Sequence, residues 1–312
     1  MQFFKTPNIN FVGARRQALI ISLIIIAIGI VSVIMHKGFN QSIDFAGGSL
    51  VEVRLDQPVP LQEIRDIMNE AGFSGAEVTT FGALEEVLIK VKRIGEAAEA
   101  SERIKEALSS SLTDRQIEIR RTETVGPKIG GELRTAAFWS VIYALIGIIV
   151  YISWRFEFRF AIAAIIALIH DVLITLGFFS VTNREISLAV IAAILTIVGY
   201  SLNDTIVLFD RIRENLRVKR RENYEQLVNS SINEVLSRTI ITSLTTLVVV
   251  LCLAIVGGEV IRDFALTLVV GVVIGTYSSM FIASPVLILW QARRSKAKAR
   301  AKRPKKAVKA AK

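Results

Sequence analysis

Six apolar runs, at 17–36, 135–154, 160–183, 186–209, 239–258 and 264–290, dominate this 312-residue chain. Each approaches or exceeds the roughly 20 residues needed to span a hydrocarbon core. A soluble core of this size cannot bury six such helices, so the sequence predicts an α-helical polytopic membrane protein with six transmembrane helices. The first run is longer than a signal-peptide core and no small-x-small pattern follows Met35. It is therefore expected to remain as a helix.

The distribution of Lys and Arg predicts orientation. Lys5, Arg15 and Arg16 precede the first run, Arg155 and Arg159 separate the second from the third, and Arg211, Arg213, Arg217, Lys219, Arg220 and Arg221 follow the fourth. The other side carries Arg184 beside Glu185, and Arg262 between Glu259 and Asp263. The N-terminus (1–16), the connection 210–238 and the tail (291–312) are thus expected in the cytoplasm. The net charge of +10 does not point to nucleic acid, because the tail alone holds 11 Lys or Arg and no acid, which leaves −1 for the rest. An Ala-Lys tail broken by Pro304 reads as disordered, attracted to anionic lipid headgroups, with RNA or an acidic partner as the competing reading. The connection 210–238 is basic and amphipathic, with Ile212, Leu216, Leu227, Val228, Ile232 and Val235 available for an apolar face. It reads as an interfacial helix or a docking surface. Cys252 is the only cysteine, which excludes a disulfide framework and a Cys-based metal site.

Residues 37–134 are too many for a loop and form a domain outside the cytoplasm. Alternation at 49–55, 76–81, 87–92 and 117–121 predicts strands, and the spacing at 61–71 and 96–108 predicts helices. The order βαββαβ is that of a ferredoxin-like α+β sandwich. No phosphate or metal motif lies within it, and no cofactor is expected. Two glycine-bearing joins flank it, one with Asp44, Gly47 and Gly48, the other with Gly126 and Pro127. They serve as tight turns on one reading and as hinges on another.

The most costly residue is Asp204, an acid inside the fourth run, set in Gly199-Tyr200-Ser201-Leu202-Asn203-Asp204-Thr205. Neighbouring hydroxyls and an amide can hydrogen-bond a carboxylate deprived of bulk water. His170 and Asp171 interrupt the third run, adjacent but about 100° apart around a helix. They read equally as a second proton station and as a pair that locks helix packing.

The joins, together with Arg155-Phe156-Glu157, His170-Asp171-Val172, the 199–204 string, the segment 209–215 and Arg238-Thr239, resemble the SecF branch of the SecD/SecF protein-export family, within the resistance-nodulation-division superfamily. The resemblance covers nearly the whole chain except the tail. It implies a non-enzymatic subunit that works with a SecD-type partner beside the SecYEG channel, using the proton-motive force in late steps of exporting unfolded polypeptides. It also implies a proton relay at Asp204, Arg238 and Asp263. Independently, Arg238 should open the fifth helix about 6 to 9 Å from the level of Asp204, within reach of it. Asp263 should start the sixth helix near the opposite face, where it reads equally as an N-terminal acid favoured by the helix dipole. Thr242, Ser243, Thr245, Thr246, Ser278 and Ser279 are the polar groups available to bridge the gap.

Two other classes compete. Half of a proton-coupled small-molecule or lipid transporter would carry the same buried charges, although six helices are half the usual twelve. An intramembrane protease using Asp171 and Asp204 is disfavoured, because an Arg beside one acid opposes a shared-proton dyad.

Overall fold

The computed structural model describes residues 7–92, 97–113, 115–219 and 221–302. In chain order these form α1 (Phe11–Met35), α2 (Ile43–Ala46), β1 (Gly48–Leu55), α3 (Leu61–Glu70), β2 (Glu77–Phe81), β3 (Ala83–Lys92), α4 (Ala97–Ser111), β4 (Ile117–Val125), α5 (Pro127–Arg155), α6 (Phe158–Val181), α7 (Leu188–Val218), α8 (Tyr224–Val256), α9 (Gly258–Ser278) and α10 (Ser284–Lys302). A single π turn, Ser279–Ala283, joins α9 to α10. Among the described residues six helical spans are long and apolar enough to cross a membrane, the sixth running from α9 through the π turn into α10.

The strands pair antiparallel in the order β2-β3-β1-β4. Alternation places Val51, Val53, Val87, Ile89 and Val91 on one face, and α3 and α4 cover it with Ile64, Ile67, Met68, Ile104 and Leu108. The strands and helices fall where the period-2 and helical patterns predict them; Glu96, the expected start of α4, lies outside the described residues.

The ends of the membrane helices correct the sequence reading. Hydropathy marks the apolar part of a helix, whereas hydrogen bonding and a packed amphipathic face carry the helix into water. Thus α5 begins at Pro127, eight residues before the second apolar run, with proline in the first turn where its missing N–H costs nothing. Among the described residues of 210–238 there is no separate interfacial helix. Instead α7 continues to Val218 and α8 starts at Tyr224. Ile212, Leu227, Val228 and Ile232 of these extensions are buried in the main membrane-domain core. Glu234 gathers Arg211, Asn215 and Lys219 across the hairpin. Arg238 therefore sits well inside α8 rather than at its start. The tail continues as α10 to Lys302, where disorder was expected, and 303–312 lies outside the described residues.

Among the membrane helices α6 and α7 are the most enclosed, with Phe160, Ala161, Ala163, Ala164, Ala167 and Leu168 of α6 all buried. By contrast α5 and α8 expose apolar rows, including Phe138, Trp139, Tyr143 and Val150 on one and Leu244, Val248 and Val249 on the other. Burial of apolar surface cannot drive helix association in lipid, so close backbone approach has to. A Cβ added at Gly29 of α1 would lie 2.8 Å from Cα of Gly177 in α6. One added at Gly275 of α9 would lie 2.9 Å from Cβ of Ser201 in α7. These contacts press α1 and α9 against the α6–α7 pair and bring their few polar side chains within hydrogen-bonding range.

Candidate functional site

Asp171 and Asp204 are buried within the spans, 1% and 4% exposed. Their surroundings differ. Asp171 Oδ2 accepts hydrogen bonds from Ser201 Oγ of α7 at 2.6 Å and Ser278 Oγ of α9 at 2.8 Å. Its Oδ1 lies 3.0 Å from Nδ1 of His170. The other ring nitrogen of His170 is 3.0 Å from Ser22 Oγ of α1. Ser22 Oγ is in turn 3.0 Å from Oη of Tyr277, which donates to the carbonyl of Ala18 at 2.7 Å. The imidazole stacks on the Tyr277 ring. Four helices thus meet at one polar knot, and the adjacent His170 and Asp171, expected to face different neighbours, bond each other.

Asp204 has one hydrogen-bond partner among the described residues, Ser243 Oγ of α8 at 3.2 Å. Ser243 also contacts Thr276 Oγ1 of α9 at 2.6 Å, and Thr276 donates to the carbonyl of Val272 at 2.8 Å. Each hydroxyl owns one hydrogen. Thr276 spends its own on Val272, so Ser243 must serve both Thr276 and an ionised Asp204 with a single hydrogen. A proton on Asp204 supplies the missing one.

Arg238 does not clasp Asp204. No ion pair joins the two among the described residues, and Arg238 is exposed on the surface of the bundle. Asp263 also departs from expectation. It lies in the second turn of α9, where Arg184 of the α6–α7 loop holds it in an ion pair at 2.5 Å. Of the hydroxyls available for bridging, Ser243 and Ser278 reach the two acids, whereas Thr242, Thr245, Thr246 and Ser279 donate to carbonyls of their own segment. Ser22, Thr276 and Tyr277 escaped sequence reading. The only local signal was a hydroxyl inside an apolar run, which helix packing supplies far more often than function does.

The first glycine-bearing join is fastened to the outer end of α7. Asp44 Oδ2 accepts from the backbone N–H of Leu188 at 2.9 Å, capping α7. Ser42 N–H donates to the carbonyl of Ile186, and Ile186 N–H to that of Asn40. Gly47 turns with φ +74°, and a Cβ on Gly48 would fall 2.3 Å from the carbonyl oxygen of Val91. Both glycines are therefore required by backbone geometry. Gly126, with extended backbone and open space at its Cβ, precedes Pro127 as the cap of α5.

Beside this seam Glu185, 6% exposed, pairs with Lys90 Nζ at 2.9 Å and Lys92 Nζ at 3.2 Å from β3. Glu77 lies 3.5 Å from Lys90. Burial pushes the Glu185 carboxyl up, but the two ammonium groups outweigh it and hold Glu185 below the ordinary 4.5. Burial works against charged Lys90, and Glu185 and Glu77 more than compensate, holding it above 10.5. Glu77, buried and facing the like charge of Glu185, is raised above 4.5. A cavity of about 340 Å³ opens here, with Asp44, Arg184 and Asp263 also on its wall.

The model of the SecD/SecF protein-export membrane protein C-terminal domain matches residues 104–293, and that of the SecD/SecF GG motif matches residues 32–59. Protein translocase subunit SecF of Desulfurispirillum indicum is 46% identical over 300 residues, covering 94% of each chain. The protein of that name from Magnetococcus marinus is 45% identical, covering 92% of this chain and 93% of its own. Among solved structures, SecDF, a translocon-associated membrane protein from Thermus thermophilus, superposes with a TM-score of 0.81 at 40% identity over 93% of this chain. This chain spans 40% of that one.

Proposed function

From the premise that the chain belongs to the SecD/SecF family, as a non-enzymatic accessory subunit of Sec protein export, we propose that it couples proton movement to export through Asp204. The observation that carries this reading is the contested hydroxyl of Ser243. Protonated Asp204 satisfies every contact from α7 through Ser243 to Thr276, and ionised Asp204 leaves one contact short. Loss and gain of the proton thus favour different packings of α7, α8 and α9. One charge crossing 100 mV releases about 2.3 kcal/mol, enough to bias a two-state packing more than tenfold.

Six spans, exposed Arg238 and the apolar rows of α5 and α8 support a second, SecD-type subunit that covers these faces and completes the relay. Such a partner fits the solved SecDF chain, of which this one spans 40%. The Lys and Arg distribution supports cytoplasmic termini in the inner membrane, with the sheet in the periplasm. There the strand order β2-β3-β1-β4 and two helices on one face support a ferredoxin-like domain placed to meet emerging, unfolded polypeptide near SecYEG. The carrier alternative has no comparable support, since the relatives bear the name of a translocase subunit.

The test is Asp204→Asn in vesicles containing both subunits and the channel. Proton-dependent stimulation of export falls tenfold or more, by about 1.4 kcal/mol of lost coupling, while copurification with the partner persists. Undiminished stimulation would refute the reading.

A further inference from the structure

The knot around Asp171 contains more contacts than hydrogens. Four need one each: Tyr277 to the Ala18 carbonyl, Ser22 to Tyr277, Ser22 to His170 Nε2, and His170 Nδ1 to Asp171 Oδ1. Tyr277 and Ser22 bring one apiece, and a neutral imidazole brings one more. Ser201 spends its own on the other carboxylate oxygen, and Ser278 shares one between that oxygen at 2.8 Å and the carbonyl of Gly275 at 3.2 Å, so neither has a hydrogen to spare for these four. With neutral His170 beside ionised Asp171 the supply is one short.

We propose that His170 and Asp171 form a proton-binding site that holds one proton in this arrangement, with Ser22 of α1 and Tyr277 of α9 as the groups that register its loss. Two distributions satisfy the count. Imidazolium can donate from both nitrogens to Ser22 and to the carboxylate, or Asp171 can carry the proton and donate to Nδ1 while Nε2–H donates to Ser22. In both, Ser22 donates to Tyr277 and the pair has no net charge, the state least penalised at this depth.

When the proton passes to water, His170 keeps its single hydrogen on Nδ1 against the carboxylate and Nε2 accepts from Ser22. Tyr277 keeps Ala18. The Ser22–Tyr277 contact then has no hydrogen, and two oxygen lone pairs 3.0 Å apart repel. The consequence is a loosened seam between α1 and α9. The groups facing the pair are Ser22 from α1, Ser201 from α7, and Tyr277 and Ser278 from α9. The other spanning acid, Asp204, lies about one turn along α7 from Ser201. The count stands without the Asp204 reading, although use of the site in export rests on it.

The chain has two histidines, His36 and His170, so nitrogen-15 histidine resonances of the full chain with its partner subunit in lipid bilayers can be assigned with His36→Gln. At pH 7 the expected result is a His170 with both nitrogens protonated, or one protonated at Nε2 together with a protonated carboxyl whose infrared band disappears in Asp171→Asn. A neutral ring protonated at Nδ1 beside ionised Asp171 overturns the proposal. Tyr277→Phe and Ser22→Ala each remove two contacts and one hydrogen, so the count closes without the extra proton. In both variants the pair should hold its proton about tenfold more weakly, the worth of one buried hydrogen bond. Unchanged proton affinity in both overturns the proposal too. These resonances are read in the presence of native Asp204, so their outcome is independent of whether Asp204→Asn affects export.

Discussion

Asp171 and Asp204 are carboxyls of the same membrane domain at similar burial, yet one is tied to three neighbours from α6, α7 and α9 and the other to one hydroxyl of α8. A buried polar network that is fully bonded fixes the helices around it, because moving any one of them strands several partners at once. A carboxyl with one shared partner has little to lose by moving. The knot ties α6, α7 and α9 together through several bonds, whereas Asp204 is held to α8 through one, which is why the proton-dependent change of packing is proposed at Asp204. The two protons proposed above would therefore act differently, one within a tightly bonded knot and the other at a seam with a single shared hydroxyl.

Removing each acid in turn is the strongest way to break this contrast. Asp171→Ala leaves His170, Ser201 and Ser278 without their common acceptor, and should lower the stability of the purified complex by about 3 to 5 kcal/mol. Asp204→Asn, which keeps an acceptor for Ser243, should cost less than about 1 kcal/mol. Thermal unfolding in one detergent compares them, and equal losses would end the distinction between anchor and mobile seam.

The contacts that tighten the knot offer a second way in. Gly275→Ala places a methyl against Ser201 and should destabilise by about 1 to 3 kcal/mol. It should also move the His170 resonances while leaving the proton dependence of export less affected than Asp204→Asn does. Equal effects on both would merge the two sites into one.

The sheet-side seam sets the comparison on a third footing, because it fastens the extramembrane sheet to the helix that carries Asp204. Glu185, depressed below 4.5, contributes stability that is present above 4.5 and lost as pH falls through its own lower value. Lys90, raised above 10.5, contributes stability that is complete below 10.5 and lost as pH rises through its higher value. Glu77 has the opposite sign to Glu185, opposing the fold above 4.5 and ceasing to do so as it protonates. The Glu185–Lys90 pair is thus closed between 4.5 and 10.5 and is no switch near neutrality. Glu185→Gln should speed hydrogen exchange of the β3 amides about tenfold at pH 7. Unaltered exchange would show that the backbone seam at Ser42 and Ile186 holds the sheet unaided.

Much of this was legible from residues. The runs gave six spans, the alternation gave four strands and two helices in the right order, and Asp204, His170 and Asp171 stood out by their cost in lipid. The site's wiring was not legible. Ser22 is one hydroxyl among apolar neighbours in the first run, and nothing local to it specifies Tyr277, 255 residues away, as its partner. The position of Arg238 is not legible because the apolar run starts at Thr239 whereas α8 starts at Tyr224, the polar first half of the helix being held by hydrogen bonds and packing that hydropathy does not register. Asp263 reads from sequence as an outer relay station or a helix N-terminal acid, and its ion pair with Arg184 is hidden because the two lie 79 residues apart.

Hydrophobicity and strand alternation are summed over neighbouring residues, so the sequence alone determined which segments enter the membrane, which form the sheet and which acids are costly. The tertiary structure decided which hydroxyl serves which acid. That choice depends on where Gly29 meets Gly177 and Gly275 meets Ser201, since displacing one helix by an ångström or two along its neighbour would break these hydrogen bonds while leaving the hydropathy of every segment unchanged.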